Sequence, residues 1–485
     1  MLLSLVLLLV LLAALGWLWM QLTVSPHHPP PLVPGFFHLI RADLPSYFLN
    51  LAQKYGPLYR LHLGILDVVV LNSKKAIEEA FVKKWMDFSG RPQTFPYQLV
   101  SKDGQDLSLG DYTPLWKAQK KLARSALLYV HNNMEPVMEN MVQDLCKRLL
   151  ARAGSPVDIS KELFMFTCSI ISFLSFGEKT ESTVQEIKDC IEELILGWES
   201  WQVQILDFLP FLRFFPSPGL RKLRQSIKKR DRIMQKYLTQ HKETMVEGQT
   251  RDLTDYMLQK LREQGEGPGQ LSEGHVQMIL VDLFIGGTET TAVTISWVVA
   301  FLLHHPEIQR RLHEELDQEL GPGVSGSPPN YGDRARFPLL NATITEVLRM
   351  RPAAPLALPH CTQKSSSICG FDIPKNTVII PNIYGAHHDD SIWAQPYDFR
   401  PDRFLEPEPS PLGIPFGCGA RICLGESLAR FEMFLILAHL LQAFTLLPAV
   451  EGSHTLPSLK PIFGINTRIL GLQVRLLPRE ARVHQ

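Results

Sequence analysis

The sequence predicts a mainly α-helical protein with small β-sheets, folded as one domain behind an N-terminal membrane helix. Long stretches with the apolar spacing of helices occur around residues 115–150, 220–262, 275–304 and 306–320. The run Val68–Val70 has the composition of a strand. The glycine-rich stretches 265–274 and 321–330 are predicted to be loops, and no internal repeat divides the chain.

The composition favours a large apolar core and argues against a nucleic-acid partner. Of 485 residues, 45% are apolar, and the 49 Lys and Arg balance the 49 Asp and Glu. Proteins that bind nucleic acid normally have a basic excess, which is missing here. Seven cysteines, an odd number thinly spread, do not resemble a secreted disulfide framework. We therefore expect a reducing compartment and at least one free thiol.

Residues 1–24 are predicted to be a membrane anchor. There is no charged residue from Leu2 to Val24, and about 20 helical residues cross a hydrocarbon layer roughly 30 Å thick. A cleaved signal peptide is the alternative, although its apolar region usually has only about 7–15 residues. Residues 25–35 contain five prolines, which predict an extended spacer before the folded domain, 36–485.

The segment FGCGARICLGESLAR, near the C-terminus, carries the strongest chemical signal. Cys423 follows a loop containing Gly417, precedes Gly425, and lies where an amphipathic helix begins. Backbone amides at a helix start stabilise a thiolate, and glycines allow a flat macrocycle to approach the main chain. Phe416 can pack beside the sulfur, and Arg421 can donate to a carboxylate. A zinc site using both cysteines of this segment, or two structural thiols, are the alternatives. No second cysteine pair has zinc-ligand spacing.

With these residues the chain resembles the cytochrome P450 family of haem-thiolate monooxygenases. The matching phrase is F-x-x-G-x-R-x-C-x-G, and the resemblance covers nearly the whole chain. It implies the fold of that family and haem b as cofactor, with Cys423 as the axial iron ligand. It also implies O2 and NADPH-derived electrons as co-substrates.

Two further groups of residues match motifs that the family has around its haem. Glu346 and Arg349 match its E-x-x-R, and Arg403 in PDRF matches its P-E-R-F, which implies a network of these three side chains. Alone, E-x-x-R is an ordinary helical pair worth about 0.3 kcal/mol. Trp116 and Lys120 share a helix face where the family places W-x-x-x-R on a haem propionate. Lys120 stands where the family usually has arginine, so it offers a point charge instead of a bidentate guanidinium. A basic surface helix is the alternative.

Other basic residues are candidates for holding the haem or for docking an electron donor. Arg91 is a further candidate for haem binding, whereas Cys361 stands where the family usually has a propionate-binding arginine. We therefore expect looser haem retention. Lys117, Lys121 and Arg124 are expected nearer the outside, as a patch for an acidic electron donor or as a solvated face.

The apolar segment 281–301 resembles the oxygen-binding helix of the family. Its Gly286 lies inside a helix, where glycine costs about 1 kcal/mol, and close helix packing is the alternative explanation. Asp282, Gly286, Glu289 and Thr290 fall on one stripe. The resemblance implies that Thr290 hydrogen-bonds oxygen and that Glu289 helps to deliver protons. A carboxylate in such an apolar helix is expected to have a raised pKa.

The substrate is predicted mostly from resemblance to the steroid hydroxylases of the family. It implies hydroxylation at carbon 21 of progesterone and 17-hydroxyprogesterone. Arg230 is the candidate for holding the 3-keto group, Asp282 for facing position 17, and Trp198 and Gly286 for lining the site. A solvated surface charge is the alternative for Arg230. The aromatic stretch around Trp198 could be core, a second membrane contact or a substrate lid; its other members are Trp201, Phe208, Phe211, Phe214 and Phe215.

The resemblance also implies partners and a location. These are NADPH–cytochrome P450 reductase, a steroid and the lipid bilayer, with the catalytic domain on the cytosolic face of the endoplasmic reticulum membrane. Two other functions stay open: oxidation of another lipophilic substrate or position, and non-catalytic binding of haem or steroid. The tail PIFGINTRILGLQVRLL resembles the family less well than the rest.

Overall fold

The computed structural model describes most of the chain. The described residues are 28–35, 38, 43–63, 66–177, 180–246, 248–265, 267, 269–323, 326–408, 410–450 and 456–479. The predicted anchor, 1–24, and the first three residues of the spacer lie outside them.

Helices form most of the described structure, as the sequence predicts. The α-helices are α1 (Leu44–Tyr55), α2 (Lys74–Glu78), α3 (Trp85–Phe88), α4 (Phe95–Val100), α5 (Pro114–Leu150), α6 (Ile159–Phe176), α7 (Glu181–Glu199), α8 (Trp201–Phe208), α9 (Pro218–Thr244), α10 (Leu253–Gln264), α11 (Glu273–His304), α12 (Pro306–Leu320), α13 (Pro338–Met350), α14 (Ile383–His387) and α15 (Glu426–Ala443). A π-helical turn covers Glu79–Lys83, and 3-10 turns cover Pro210–Phe214, Tyr331–Arg336, Pro401–Phe404 and Gly419–Arg421.

The long helix α11 lies at the centre of the core. Ser272 and His275 cap its start reciprocally. The sequence of α11 is apolar on nearly all sides, so the helix is buried against several others rather than along one stripe. It packs most extensively against α6. In such a buried, apolar helix, the few polar residues and glycines of α11 are candidates for a functional role.

The stretch 220–262 is two helices rather than the single one predicted. Helix α9 ends at Thr244, and Asp252 caps α10 by accepting from the Asp255 N–H. Between them Gly248 has φ +79°, a left-handed conformation that interrupts a helix. The turn reverses the chain and lets both helices pack on α11.

Small sheets complete the fold. The strands are β1 (Leu58–Leu63), β2 (Leu66–Leu71), β3 (Pro156–Asp158), β4 (His360–Cys361), β5 (Ser366–Ile368), β6 (Phe371–Ile373), β7 (Val378–Pro381), β8 (Phe444–Pro448), β9 (Ile462–Phe463), β10 (Thr467–Arg468) and β11 (Gln473–Pro478). One sheet has the order β1-β2-β7-β4, with β2 and β7 parallel, and Val69 of the predicted strand pairs with Ile379. A second has the order β3-β11-β8, and β5–β6 and β9–β10 are two-stranded.

Two described helices are long and apolar enough to cross a membrane by length and composition alone: Ile159–Phe176 and Glu273–His304. Both are mostly buried inside the protein, which is typical of core helices. The search does not include the predicted anchor, which lies outside the described residues.

Candidate functional site

The loop before α15 holds Cys423 in a fixed position. The Cys423 N–H donates to the Phe416 carbonyl at 3.0 Å, closing the loop. Gly417 and Gly419 both have φ +72°, and a side chain on Gly419 would overlap the Phe81 carbonyl. The glycines are therefore required by the backbone path, and the Cys423 side chain is left accessible.

Opposing effects act on the Cys423 thiol. The side chain is accessible, yet protein surrounds it on most sides, and this desolvation raises its pKa. The backbone N–H groups of Gly425 and Glu426 and the Lys120 cation act in the opposite direction. Lys120 Nζ donates to the Ala420 carbonyl at 2.6 Å, which keeps its charge beside the loop. The net effect raises the thiol pKa, and the amides at the helix start offset part of the desolvation.

Arg421 and Trp116 meet on one main-chain segment. The guanidinium of Arg421 lies 4.0 Å from the Trp116 ring centroid. The Leu107 carbonyl accepts from Arg421 Nη1 at 3.1 Å and from the Trp116 indole N–H at 3.0 Å. Arg421 also donates to the carbonyls of Ser89 and Gly110. Burial and the neighbouring Arg91 lower the pKa of Arg421 to about 8.

Arg91 is bound in the same way. Its side chain is buried and donates to the carbonyl of Ser108 at 2.8 Å and to those of Leu358 and Pro359 at 2.9 and 2.8 Å. Burial lowers its pKa to about 10. Three of the donors predicted for haem carboxylates, Arg91, Trp116 and Arg421, thus converge on main-chain carbonyls of the segment 107–110, whereas Lys120 binds the Ala420 carbonyl.

The structure brings Glu346, Arg349 and Arg403 together. Arg349 donates to Glu346 at 2.8 and 2.9 Å and Arg403 at 3.0 Å, and no side chain of the three is more than 2% exposed. His387 extends the cluster. It accepts from the Ile414 N–H at 2.7 Å, so its proton lies on Nδ1, 3.0 Å from the Arg349 carbonyl. Burial lowers the pKa of His387 to about 3, which keeps it neutral.

The oxygen-side residues lie near the middle of α11. Gly286 is exposed although α11 is a core helix, and the Thr290 hydroxyl donates to its carbonyl at 2.5 Å. Asp282 accepts from the Leu107 N–H at 2.7 Å and from the Ser108 hydroxyl at 2.6 Å, and burial raises its pKa to about 6. Leu107 thus joins α11 to the cysteine loop. Because both Asp282 oxygens have protein partners, its role beside a steroid stays a prediction.

Glu289 has a partner that the sequence did not reveal. Its Oε1 lies 2.5 Å from Nε of Arg468 in β10. The expectation for Glu289 assumed an unpaired carboxylate in an apolar helix, and this premise is wrong. The two residues are 179 positions apart, and Arg468 lies in the tail that resembles the family least, so no local pattern pointed to the pair.

Arg230 is not a solvated surface charge. It is 2% exposed, and it donates to the Val100 carbonyl at 2.6 Å and to Asp231 at 2.8 and 3.0 Å. It borders a narrow cavity whose other lining residues are apolar, among them Ile191, Leu194, Val281, Phe284 and Ile285. Trp198 is buried nearby in the same packing cluster as Leu194. The cavity has a volume of about 10 Å³, room for at most one water molecule, so it marks the apolar surroundings of Arg230 rather than a space for a ligand.

The aromatic stretch divides into a buried and an exposed part. Trp198 is 6% exposed, whereas Trp201, Phe211 and Phe214 are 71%, 57% and 89% exposed. Phe215 is also exposed. Large aromatic side chains grouped on a surface favour a contact with lipid or another apolar partner over a core role.

The described residues do not support a zinc site at the cysteines. Among them, the one grouping of His, Cys, Asp and Glu that could hold a metal ion is His241, Asp252 and Asp255. There His241 Nε2 already lies 2.9 Å from Asp252 Oδ2. Within the described part of the chain, Cys418 and Cys423 belong to no such grouping.

A haem fits the residues around Cys423. A Cβ added at Gly286, Gly417 or Gly425 would meet no described atom within 4 Å, so three predicted glycines border open space. One accessible sulfur and a set of cationic and N–H donors match an iron ion and two carboxylates. Cys361 adds no such donor; it pairs through its N–H with the Gly90 carbonyl, and burial raises its thiol pKa to about 11.

Comparison with known proteins gives consistent matches. The family model described as Cytochrome P450 matches residues 26–474. The chain is 59% identical to "Steroid 21-hydroxylase" of Bos taurus over 481 residues, covering 98% of this chain and 97% of the relative. It is 57% identical to "Steroid 21-hydroxylase" of Homo sapiens, covering 100% and 98%. A solved zebra fish cytochrome P450 with progesterone has a TM-score of 0.82 and 31% identity, covering 90% of this chain and 100% of that one.

Proposed function

The chain belongs to the cytochrome P450 family, and we propose that it is a steroid 21-monooxygenase. It hydroxylates carbon 21 of progesterone and 17-hydroxyprogesterone. The reaction consumes steroid, O2, NADPH and one proton, and yields the 21-hydroxysteroid, water and NADP+. The observation that carries this proposal is the 57–59% identity, over nearly the full length of both chains, to relatives named steroid 21-hydroxylase. These products are precursors of glucocorticoids and mineralocorticoids.

Haem b supplies the oxygen chemistry when bound, with Cys423 as its iron ligand. Arg91, Arg421, Lys120 and Trp116 hold its carboxylates. This assignment is supported by their convergence around residues 107–110 and 420–421. Gly417 and Gly425 leave room for the macrocycle beside Phe416. The Glu346–Arg349–Arg403 cluster has no reacting role; it fixes the chain behind the cysteine loop.

Residues of α11 handle protons during oxygen reduction. Gly286 leaves space on the helix surface, and the Thr290 hydroxyl lies one turn further along. Glu289 takes protons from water and passes them towards Thr290. Binding alone has no use for such an acid and alcohol, which disfavours a non-catalytic haem or steroid binder.

Arg230 holds the steroid 3-keto group. This assignment is supported by the burial of the guanidinium among apolar side chains, where a carbonyl oxygen is a suitable acceptor. Trp198 and Gly286 line the rest of the steroid site. Asp282 faces position 17 of the steroid and is held by its hydrogen bonds to Leu107 and Ser108. A lipophilic substrate of this kind partitions into membranes.

The enzyme acts at the endoplasmic reticulum membrane, with its catalytic domain on the cytosolic face. Residues 1–24 anchor it, and the exposed Trp201 and Phe214 form a second contact with lipid. Electrons come from NADPH–cytochrome P450 reductase. Lys117, Lys121 and Arg124 are all exposed and form the docking patch for this donor.

The test is product analysis of the purified full chain with progesterone, NADPH and reductase. A 21-hydroxylated steroid is expected, and Cys423→Ser serves as the inactive control. Hydroxylation at another carbon would contradict the proposed position and direct attention to Arg230 and Asp282. Steroid binding without any oxidised product, from protein that retains haem, would refute the enzymatic function.

A further inference from the structure

Arg468 joins the proposed proton-delivery residue to a helix on the substrate side. Its Nε binds Glu289 at 2.5 Å, and its Nη1 binds Glu199, the last residue of α7, at 3.2 Å. Glu199 in turn accepts from the Ile465 N–H at 2.7 Å. The β9–β10 hairpin therefore binds Glu199 twice, through the Arg468 side chain and through the main chain of its turn. The cation is shared between two carboxylates on different helices.

The local structure is suited to this link. The Glu289 and Glu199 side chains are 7% and 19% exposed, so both carboxylates need a nearby cation. A planar guanidinium can serve two carboxylates at once, which an ammonium does less well. A side chain at Gly464 would collide with Glu199 Oε1, so glycine is needed there for the close approach.

We propose that Arg468 is a positioning residue for proton delivery, holding the Glu289 side chain in place through a link to Glu199. This rests on the proposed monooxygenase function. In this role Arg468 acts through Glu289 and not on the reacting atoms. It sets how often electrons from NADPH end in hydroxylated steroid rather than in hydrogen peroxide, because delivery of protons at the correct position favours hydroxylation.

The test compares Arg468→Gln with Arg479→Gln in the full-length holoenzyme with reductase and progesterone. Arg479 is a matched control, because it belongs to the same C-terminal segment and pairs with Asp317 at 2.7 Å, away from α11. For Arg468→Gln we expect the product formed per NADPH to fall about threefold or more, with a matching rise in peroxide. Arg468→Lys should recover part of the loss, and Arg479→Gln should leave the ratio unchanged.

Further readouts separate positioning from folding. Adding Arg468→Gln to Glu289→Gln should change coupling little. Hydrogen exchange of residues 462–468 should increase in Arg468→Gln, while the spectral affinity for progesterone is retained.

Three results would overturn the proposal: an unchanged coupling ratio in Arg468→Gln, equal losses in Arg479→Gln, or additive effects with Glu289→Gln. If Arg468→Gln does not fold, Arg468→Lys and Glu199→Gln carry the same comparison, each with a smaller expected loss. Failure of the proposed function would be visible separately, because the wild-type enzyme would then give no 21-hydroxylated steroid.

Discussion

Replacing Glu346 by glutamine removes the carboxylate that neutralises two buried guanidinium groups. Glu346 accepts from Arg349, from Arg403 and from the Arg400 N–H, and it is 0% exposed. Breaking a buried ion pair from one side costs about 3–5 kcal/mol, because the remaining charge stays buried. A typical folded protein is stable by only about 5–15 kcal/mol. Glu346→Gln should therefore greatly lower the free energy of unfolding.

The matched control is Glu314→Gln, which removes a carboxylate from a surface pair. Arg310 and Glu314 are 66% and 48% exposed, and such a helical pair contributes only about 0.3–0.5 kcal/mol. Urea unfolding of both holoproteins, followed by circular dichroism and haem absorbance, measures the difference. Arg403→Lys, which keeps the charge but loses the fork, should lie between them. If Glu346→Gln lost no more stability than Glu314→Gln, the reasoning about buried charge would be refuted.

Three further outcomes can be measured. Arg230→Ala should weaken spectral binding of progesterone about tenfold or more, whereas Arg232→Ala, on the exposed face of the same helix, should not; equal affinities would remove Arg230 from the steroid site. The free energy of unfolding should fall as the pH decreases from 6.5 towards 3. In this range His387 is protonated in the unfolded state but stays neutral in the folded state, which lowers the free energy of unfolding by about 1.4 kcal/mol per pH unit. His387→Gln should reduce that slope by one proton, and an unaltered slope would contradict the assignment. Cys361→Arg should slow haem transfer to apomyoglobin about tenfold by adding a charged hydrogen bond; an unchanged rate would mean that Arg91 and its neighbours already compensate.

Local patterns predicted most of the fold and the groups that come from single segments. Helices α5, α11 and α12 follow their apolar spacing closely, and the cysteine loop is one short phrase. Glu346 and Arg349 are one helical turn apart, so their spacing in the sequence already predicts that their side chains meet. The break between α9 and α10 was missed because both sides have helical periodicity and only Gly248 marks the turn.

Contacts between distant segments were not predictable in the same way. Arg468 and Glu289 meet through packing of the C-terminal turn on α11, and neither residue carries a local sign of the other. The sequence likewise identified Arg91 and Arg421 as donors but not the main-chain carbonyls that they bind. A carbonyl is present at every position, so sequence alone cannot single out the one at Leu107.

The double hydrogen bond to the Leu107 carbonyl also affects how the protein can be made. One of its donors, Arg421, lies 314 positions further along the chain, and a ribosome has synthesised most of the protein before that residue emerges. The Leu107 carbonyl therefore lacks its hydrogen bond from Arg421 while about three hundred further residues are synthesised. Assembly of this site is therefore a late event in the synthesis of the chain, and truncation anywhere before Arg421 leaves a chain that cannot complete it.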